Sequence, residues 1–314
     1  MKRAVVTGAG GFIGSHLCEY LVSKQVQVIA IDSLTNYYNV DEKLDNLDQI
    51  KATGVEKVDY DDLAISDLVA HFQDIDVVFH LAGRPGVRLS FEDYQGYVHD
   101  NLVGTARVVE ACLRAKVKKL VFASSSSVYG NAPLPYTEQG PTEPISPYGN
   151  SKLIAEKMVL SASQAGLNTV ALRYFTVFGP RQRPDMAIRR FIEAALSSKP
   201  VKIFGDGEQS RDFTFVKDIV HASYLAAIVP QASGPINIGG GQKVTINQTM
   251  DLIGKLLGTV VPREYISVSK GDPTHTASNL TKAEQVLGYR SSYSFEEGLS
   301  QQIEWMKQKM ELEN

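Results

Sequence analysis

The chain has 314 residues, 43% apolar and 21% charged, with a formal net charge of −3. That balance excludes a disordered or fibrous chain, and near-neutrality gives no support to sequence-independent nucleic-acid binding, which needs a basic surface. At roughly 150 residues per domain the length allows one large or two modest domains.

Residues 3–7 are a short apolar run ahead of a glycine cluster, which predicts a buried strand. Helical spacing follows from Ile13 through Leu17 to Leu21, and Val26 to Ile31 reads as a second strand ending at Asp32. Further strands are expected at 58–60, 76–81 and 119–124, the last after a helix near 102–115. Another helix is expected over 152–165, with Tyr148 and Lys152 at its start, and a strand over 169–174. Strands alternating with helices predict a doubly wound parallel sheet of the α/β class, with helices on both faces. After Tyr174 the rhythm changes, because residues 178–186 are too rich in Pro and Gly for a regular element. A helix at 187–197, a strand and turn at 201–207, and helices at 246–257 and from Phe295 toward Met310 complete the reading. The expected division is a dinucleotide-binding half over 1–174 and a smaller, interlaced α/β substrate half over 175–314. Segments near 212–240 are expected to return to the first sheet.

Cys18 and Cys112 fall in predicted helices and fit a reducing compartment rather than a disulfide framework. No apolar run reaches the ~18 residues needed to span a bilayer. Met1-Lys2-Arg3 leads directly into the first strand rather than into a secretory signal. A cytoplasmic protein with no membrane partner is the expectation.

Gly8, Gly11 and Gly14 recur every third residue between the first strand and the first helix. Such glycines allow a tight turn, close approach of a pyrophosphate, and close helix–strand packing, and the helix N-terminus offers free N–H groups to the phosphates. Asp32, at the end of the second strand, is placed for a ribose-binding carboxylate. It would repel a 2′-phosphate, so NAD is expected over NADP; read alone, Asp32 is equally a turn residue or helix cap. Asp62-Leu63, after the third strand, is placed to reach the adenine edge.

Tyr148 and Lys152 are four apart at a helix start, so their side chains share a face. A phenol is a poor base at neutral pH, but a neighbouring ammonium and an oxidised nicotinamide both favour phenolate. The pair therefore suits a general base with its tuning partner, although the spacing alone more often marks a solvated helix face. The run Ser124 to Ser127 follows the fifth strand, at the sheet edge where doubly wound folds bind ligands; a polar capping loop is the plainer alternative.

Taken together, these motifs make the chain resemble the extended short-chain dehydrogenase/reductase family, in its nucleotide-sugar epimerase and dehydratase branch. The matching segments are Thr7–Gly14, His80-Leu81-Ala82, Ser124–Gly130, Tyr148 with Lys152, Arg173–Pro180, Gly205–Phe213 and Leu287-Gly288-Tyr289. The resemblance implies that Tyr148 is the base, Lys152 binds the nicotinamide ribose and Ser125 is the catalytic hydroxyl. It places Phe12, Ile13, Asn36 and Lys43 at the dinucleotide, together with Leu81, Ala82, Asn101 and Tyr174. Arg211 is implied to hold a diphosphate, with an ion pair to Asp206, Asp212 or Glu208 as the plainer reading. Asp272 and Thr276 are implied to join the substrate contacts.

Family dehydratases carry an acidic pair before the Val-Tyr-Gly motif, and family decarboxylases acting on UDP-glucuronate carry a glutamate there. Here those positions are Ser126 and Ser127, ahead of Val128-Tyr129-Gly130. The resemblance thus implies the simpler chemistry, C4 epimerisation of a UDP-sugar through a 4-keto intermediate with retained NAD. Phe175–Met186 and Pro85-Gly86-Val87-Arg88 look like the versions in UDP-glucuronic acid 4-epimerases. On that likeness Thr176 and Ser125–Ser127 would hydrogen-bond the sugar carboxylate, with Arg88 or Arg183 adding positive charge. UDP-glucose and UDP-N-acetylglucosamine stay open as substrates, since Thr276 is small where some relatives have a bulky residue. Ser278-Asn279 also departs from the usual Ala-Asp. A non-catalytic NAD-binding regulator is the alternative from another class, and such proteins commonly lose the Tyr/Lys pair. The six histidines show no metal-ligand spacing, so no metal is expected. The family implies a homodimer through the helices near 101–115 and 152–165, where Val108, Leu113, Leu153 and Met158 are candidate contacts.

Overall fold

The computed structural model describes residues 1–267 and 273–313. Seven strands form one parallel sheet: β1 (Arg3–Thr7), β2 (Gln27–Ile31), β3 (Lys57–Asp59), β4 (Val77–His80), β5 (Lys119–Ser125), β6 (Asn168–Tyr174) and β7 (Gly234–Ile238). Their order across the sheet is β7-β6-β5-β4-β1-β2-β3. The chain thus starts in the middle, winds outward one way, then crosses β1 and winds the other. The carboxyl ends of β1 and β4 meet at the switch point, where open α/β sheets form their ligand crevice.

Alternation along the strands explains the two layers of helices. In β1, Ala4 and Val6 join one apolar cluster and Val5 the other, and all three are buried. The first cluster takes Leu17 and Leu21 of α1 (Phe12–Ser23), Leu47 and Ile50 of α2 (Val40–Thr53), and Ile219 and Val220 of a later helix. The second takes Val108 and Cys112 of α3 (Gly104–Arg114), with Ala155 and Val159 of α4 (Pro147–Ser161). A strand buried on both faces reads as a continuous apolar run, which is why these strands were visible in the sequence.

Several boundaries differ from expectation. α2 falls in a stretch for which the sequence reading offered no element; Asn39 caps it, accepting the Asp41 N–H, and left-handed Gly54 ends it. The helix expected from 152 starts at Pro147, with the Ser146 hydroxyl accepting the Gly149 N–H at 3.1 Å. Proline suits this first position because its missing N–H has no helical partner. The helix expected from 102 is preceded by a π-helical stretch, Val98–Val103. Val108, a candidate surface contact, is fully buried against the sheet, so it belongs to the core.

Beyond β6 the chain adds α5 (Ala187–Leu196) and α6 (Val216–Ile228), the latter leading into β7 at the sheet edge. Three two-stranded pieces flank the crevice: Val177–Phe178 with Thr214–Phe215, Val201–Phe204 with Arg263–Ile266, and Ser210–Asp212 with Lys243–Thr245. The last helix, α7 (Phe295–Glu313), returns toward α5.

Candidate active site

The crevice is one cavity of about 1260 Å³, floored by the carboxyl ends of the sheet strands and roofed by residues 183–213 and 273–276. At its dinucleotide end, Gly8 has φ +73°, and a Cβ there would lie 2.8 Å from the Ala82 amide nitrogen. A Cβ on Gly14 would land on the Gly8 carbonyl. Only glycine permits this approach of α1 to the turn. Gly11 opens α1 with no side-chain cap, and no acid stands in the first turn. The helix therefore presents unanswered N–H groups and the positive end of its dipole to an anion. These features fit a dinucleotide pyrophosphate.

Asp32 is buried at the cavity wall, accepting the Gly10 N–H at 3.0 Å and the Leu34 N–H at 2.8 Å. Asp32 thus braces the glycine turn, as its plainer reading expects, and also lines the cavity. Lys43 also lines the wall and donates to the Thr35 carbonyl at 2.6 Å. Asp62, Leu63, Leu81 and Ala82 close the far end. Asn36 is exposed and outside the lining, its place taken by Thr35, Tyr37 and Tyr38. Asn101 is buried but does not reach the cavity. Its Oδ1 accepts the Arg84 N–H at 2.6 Å, and its Nδ2 donates to the Arg84 carbonyl and the Ser151 hydroxyl. Asn101 therefore braces the loop after β4 rather than facing the dinucleotide. Asn46, which α2 supplies, was missed; its Nδ2 donates to the Gly10 carbonyl at 2.9 Å and pins the glycine turn from behind.

Ser125, Ser126 and Ser127 leave β5 at the centre of the cavity, facing Tyr148 and Lys152 on the first turns of α4. The Ser125 hydroxyl accepts the Ser127 N–H at 3.1 Å, which fixes the turn. Burial pushes the Tyr148 phenol above its ordinary value, while the Ser125 hydroxyl and the Arg183 charge pull it back in part. The protein's own groups thus leave the phenol protonated. Burial pulls Lys152 down to about 7, opposed by the Glu156 charge, and its Nζ lies 4.3 Å over the Phe122 ring. Tyr148 also packs edge-on against Tyr97, at 6.2 Å between ring centres. The Tyr97 hydroxyl is in turn tied to the Pro85 and Gly86 carbonyls.

Beneath the site, His80 is buried between Thr7 and Thr105, at 2.8 and 2.9 Å. The Thr105 hydroxyl donates to the Asn101 carbonyl, so its oxygen accepts from His80 Nε2–H and leaves Nδ1 to accept from Thr7. Burial and the Lys152 charge hold His80 near 3, and therefore neutral. It ties β1 to β4 and takes no part in the cavity.

At the other end of the cavity stand Pro85, Thr176, Arg88, Arg183, Arg211 and Thr276. Arg183 makes a two-pronged pair with Asp185 at 3.0 Å and lies 5.8 Å over the Tyr37 ring. Arg88 stacks 4.0 Å from the Phe204 ring centre. Arg211 donates to the Ser210 carbonyl at 3.0 Å and the Thr274 carbonyl at 3.1 Å. The Thr276 hydroxyl accepts the Asp212 N–H at 3.1 Å, and Tyr174 shares its hydroxyl with Ser223 at 2.7 Å. Asp272 lies outside the described residues. Among the described residues, one group has metal-ligand geometry: Asp59, Asp61 and His71. There the two ring nitrogens of His71 lie 3.0 Å from the Asp59 carboxylate and 3.1 Å from that of Asp61, so the imidazole sits between the two acids.

Residues 4–239 match the model of the NAD dependent epimerase/dehydratase family. The UDP-glucuronate 4-epimerase of Thermodesulfobacterium geofontis is 37% identical over 318 residues, covering 99% of this chain and 98% of its own. An uncharacterized UDP-glucose epimerase of Bacillus subtilis, YtcB, is 38% identical over 308 residues, covering 97% of this chain and 98% of its own. Among solved structures, the UDP-glucuronic acid 4-epimerase of Bacillus cereus in complex with UDP-glucuronic acid and NAD superposes with a TM-score of 0.95 at 36% identity, covering 98% and 99%. A glycine turn, a carboxylate at the end of β2 and a Tyr/Lys/Ser constellation meeting in one crevice agree with these matches: the chain belongs to the NAD-dependent epimerase/dehydratase family.

Proposed function

We propose that this protein is a NAD-dependent UDP-sugar 4-epimerase that interconverts UDP-glucuronate and UDP-galacturonate. The carrying observation is the convergence of Ser125, Tyr148 and Lys152 with the glycine turn in a single cavity. Gly8, Gly11, Gly14 and Asp32 would hold NAD, with Lys152 toward the nicotinamide ribose. When bound, NAD supplies the hydride acceptor for C4, the donor for its return, and a positive ring that favours phenolate. Tyr148 takes the proton of the C4 hydroxyl while Ser125 holds the same oxygen, and Tyr148 gives the proton back after the 4-keto sugar has turned over. Ser126 and Ser127 leave no carboxylate at the position that elimination or decarboxylation uses in relatives.

A C6 carboxylate is favoured by Thr176 and the serine run, which offer hydroxyl donors, and by Arg183 beside Tyr148. Arg211 is placed to hold the diphosphate. We assign residues 1–174 to the dinucleotide half, with the segment near 212–240 returning to it, and 175–314 to the sugar half. A homodimer through α3 and α4 is supported by outward Ile154, 47% exposed, and Val103, just before α3 and 41% exposed. Two buried free thiols suit a cytoplasmic setting.

The test incubates purified protein, without added cofactor, with UDP-glucuronate, UDP-glucose and UDP-N-acetylglucosamine, and follows the sugar protons by NMR. UDP-galacturonate as the fastest product is expected. A faster galacto product from either neutral sugar would move the assignment to that substrate, and an unsaturated or decarboxylated product would reject epimerisation. Tyr148→Phe should lower turnover about 100-fold or more with the fold intact; near-normal turnover would remove Tyr148 as the base.

A further inference from the structure

The most buried ion pair among the described residues does not face the cavity. Glu156 of α4 and Arg173 of β6 have side chains 3% and 4% exposed and meet through two bonds, Nη2–Oε1 at 2.6 Å and Nε–Oε2 at 3.0 Å. Glu156 Oε2 also accepts the Ser124 hydroxyl at 2.5 Å. Arg173 Nη1 donates to the Tyr129 hydroxyl at 2.8 Å, and that hydroxyl donates to Asn237 Oδ1 of β7 at 2.6 Å. Every charge and lone pair of the cluster therefore looks inward.

Replacing a buried ion pair by apolar groups is often neutral or stabilising, so stability alone is a weak reason for one. Its position offers a better one. Glu156 follows Lys152 by one helical turn and Tyr148 by two, on the same face of α4. Ser124 directly precedes Ser125, and Arg173 precedes the cavity residues Tyr174 and Thr176. Each element that the pair grips carries a site residue just beyond the grip.

We propose that Glu156 is a positioning residue, which with Arg173 locks β5, α4 and β6 in register beneath the site and supplies the counter-charge that favours the ammonium form of Lys152. The proposal rests on the reading of Tyr148 and Lys152 as the proton-transfer pair. The groups around Lys152 are accounted for. Tyr148 and Glu156 face it from its own helix, His80 from β4 is neutral, β5 offers the uncharged Phe122 and Ser124, and Arg173 on β6 is answered by Glu156. Glu156 is thus the acid opposing the desolvation of Lys152. Without its charge, the Arg173 guanidinium stands unanswered nearby, and Lys152 sheds its proton at lower pH.

The test uses Glu156→Gln, with the double variant Glu156→Gln/Arg173→Met in case the single change leaves Arg173 too poorly compensated to fold. Two readouts are taken on the NAD-containing protein: epimerase turnover from pH 6 to 10, and the titration of Lys152 by NMR of 13C-labelled lysine, assigned with Lys152→Met. The expected result is kcat down about tenfold with KM for the UDP-sugar within about twofold, and the Lys152 midpoint and alkaline limb of kcat moved about one unit toward acid. Glu156→Asp should restore the limb in part. A folded double variant with wild-type kcat and an unmoved Lys152 titration would overturn the proposal, since a purely structural pair predicts that outcome. If wild-type protein turned over no UDP-sugar, the functional reading would fall, while the NMR titration would still decide the role of Glu156.

Discussion

At Lys152 a positive charge is held among apolar atoms, over the Phe122 ring and 6% exposed, and burial brings it to about 7 against the pull of Glu156. A lysine whose folded value lies below its unfolded one destabilises the fold wherever it must carry its proton. The penalty is full below about 7, shrinks as pH rises, and is gone above the ordinary lysine value of 10.5. Lys152→Met should therefore raise the melting temperature of the cofactor-free protein by about 2 °C or more at pH 6.5, with the gain fading by pH 10.5. The same change should remove turnover. Calorimetry across that range checks the first part; a melting temperature lowered at pH 6.5 would mean that Lys152 stabilises the fold. That Tyr148, Lys152 and the three glycines would meet at one crevice was legible from spacing within short segments, and the serine run from its place after β5, whereas the choice of Ser125 came from the family resemblance. Asn101 was legible as a polar residue beside the site but not in its role. Its partners, Arg84 and Ser151, come from separate segments, and nothing local announces them.

At the scale of elements, the turn from β1 into α1 is set by backbone contact rather than by side chains. Gly14 packs so closely on the Gly8 carbonyl that a methyl group has nowhere to go, and the obstacle is backbone, which cannot swing aside. Gly14→Ala should push the N-terminus of α1 off the turn. The expected loss is about 1–3 kcal/mol of stability and most of the retained NAD, measured as dinucleotide released on denaturation. Unchanged NAD content would show that α1 does not hold the phosphates. The strands of the main sheet could be read because burial on both faces makes them apolar throughout. α2 was missed: of its apolar residues Val40, Leu44, Leu47, Ile50 and Ala52 only Leu47 and Ile50 are buried, and the other nine residues are charged or polar. Its boundary signals, Asn39 and Gly54, were in the sequence, as was the helical spacing of Val40, Leu44, Leu47 and Ile50, but so thin a stripe in a mostly polar segment is easily read as a loop.

Over the whole molecule, the segments after β6 are tied to the sheet and its helices by more than the crossover into β7. Arg189 of α5 makes a two-pronged pair with Glu42 of α2, at 2.6 and 2.8 Å, and Lys309 of α7 adds a contact to the same carboxylate at 3.1 Å. Arg189 also donates to the Gln182 carbonyl, one residue before Arg183. One guanidinium thus couples α2 to the loop that carries Arg183. No sequence pattern signals such a pair, because its partners lie 147 residues apart. Burial pushes the Glu42 carboxyl up, but the bonds and charge of Arg189, helped by Lys309, outweigh it and leave the group below its ordinary value. A carboxylate lowered in the folded state contributes stability above its unfolded value and loses it as pH falls through the folded one. Arg189→Met should therefore cost about 1–3 kcal/mol at pH 7, and the gap from wild type should close as pH falls below about 4. Denaturant unfolding at pH 7, 5 and 3.5 measures this. A gap that stayed constant across the three would assign the loss to the packing of Arg189 on Trp305, 5.5 Å from the ring centre, instead of to the charge on Glu42.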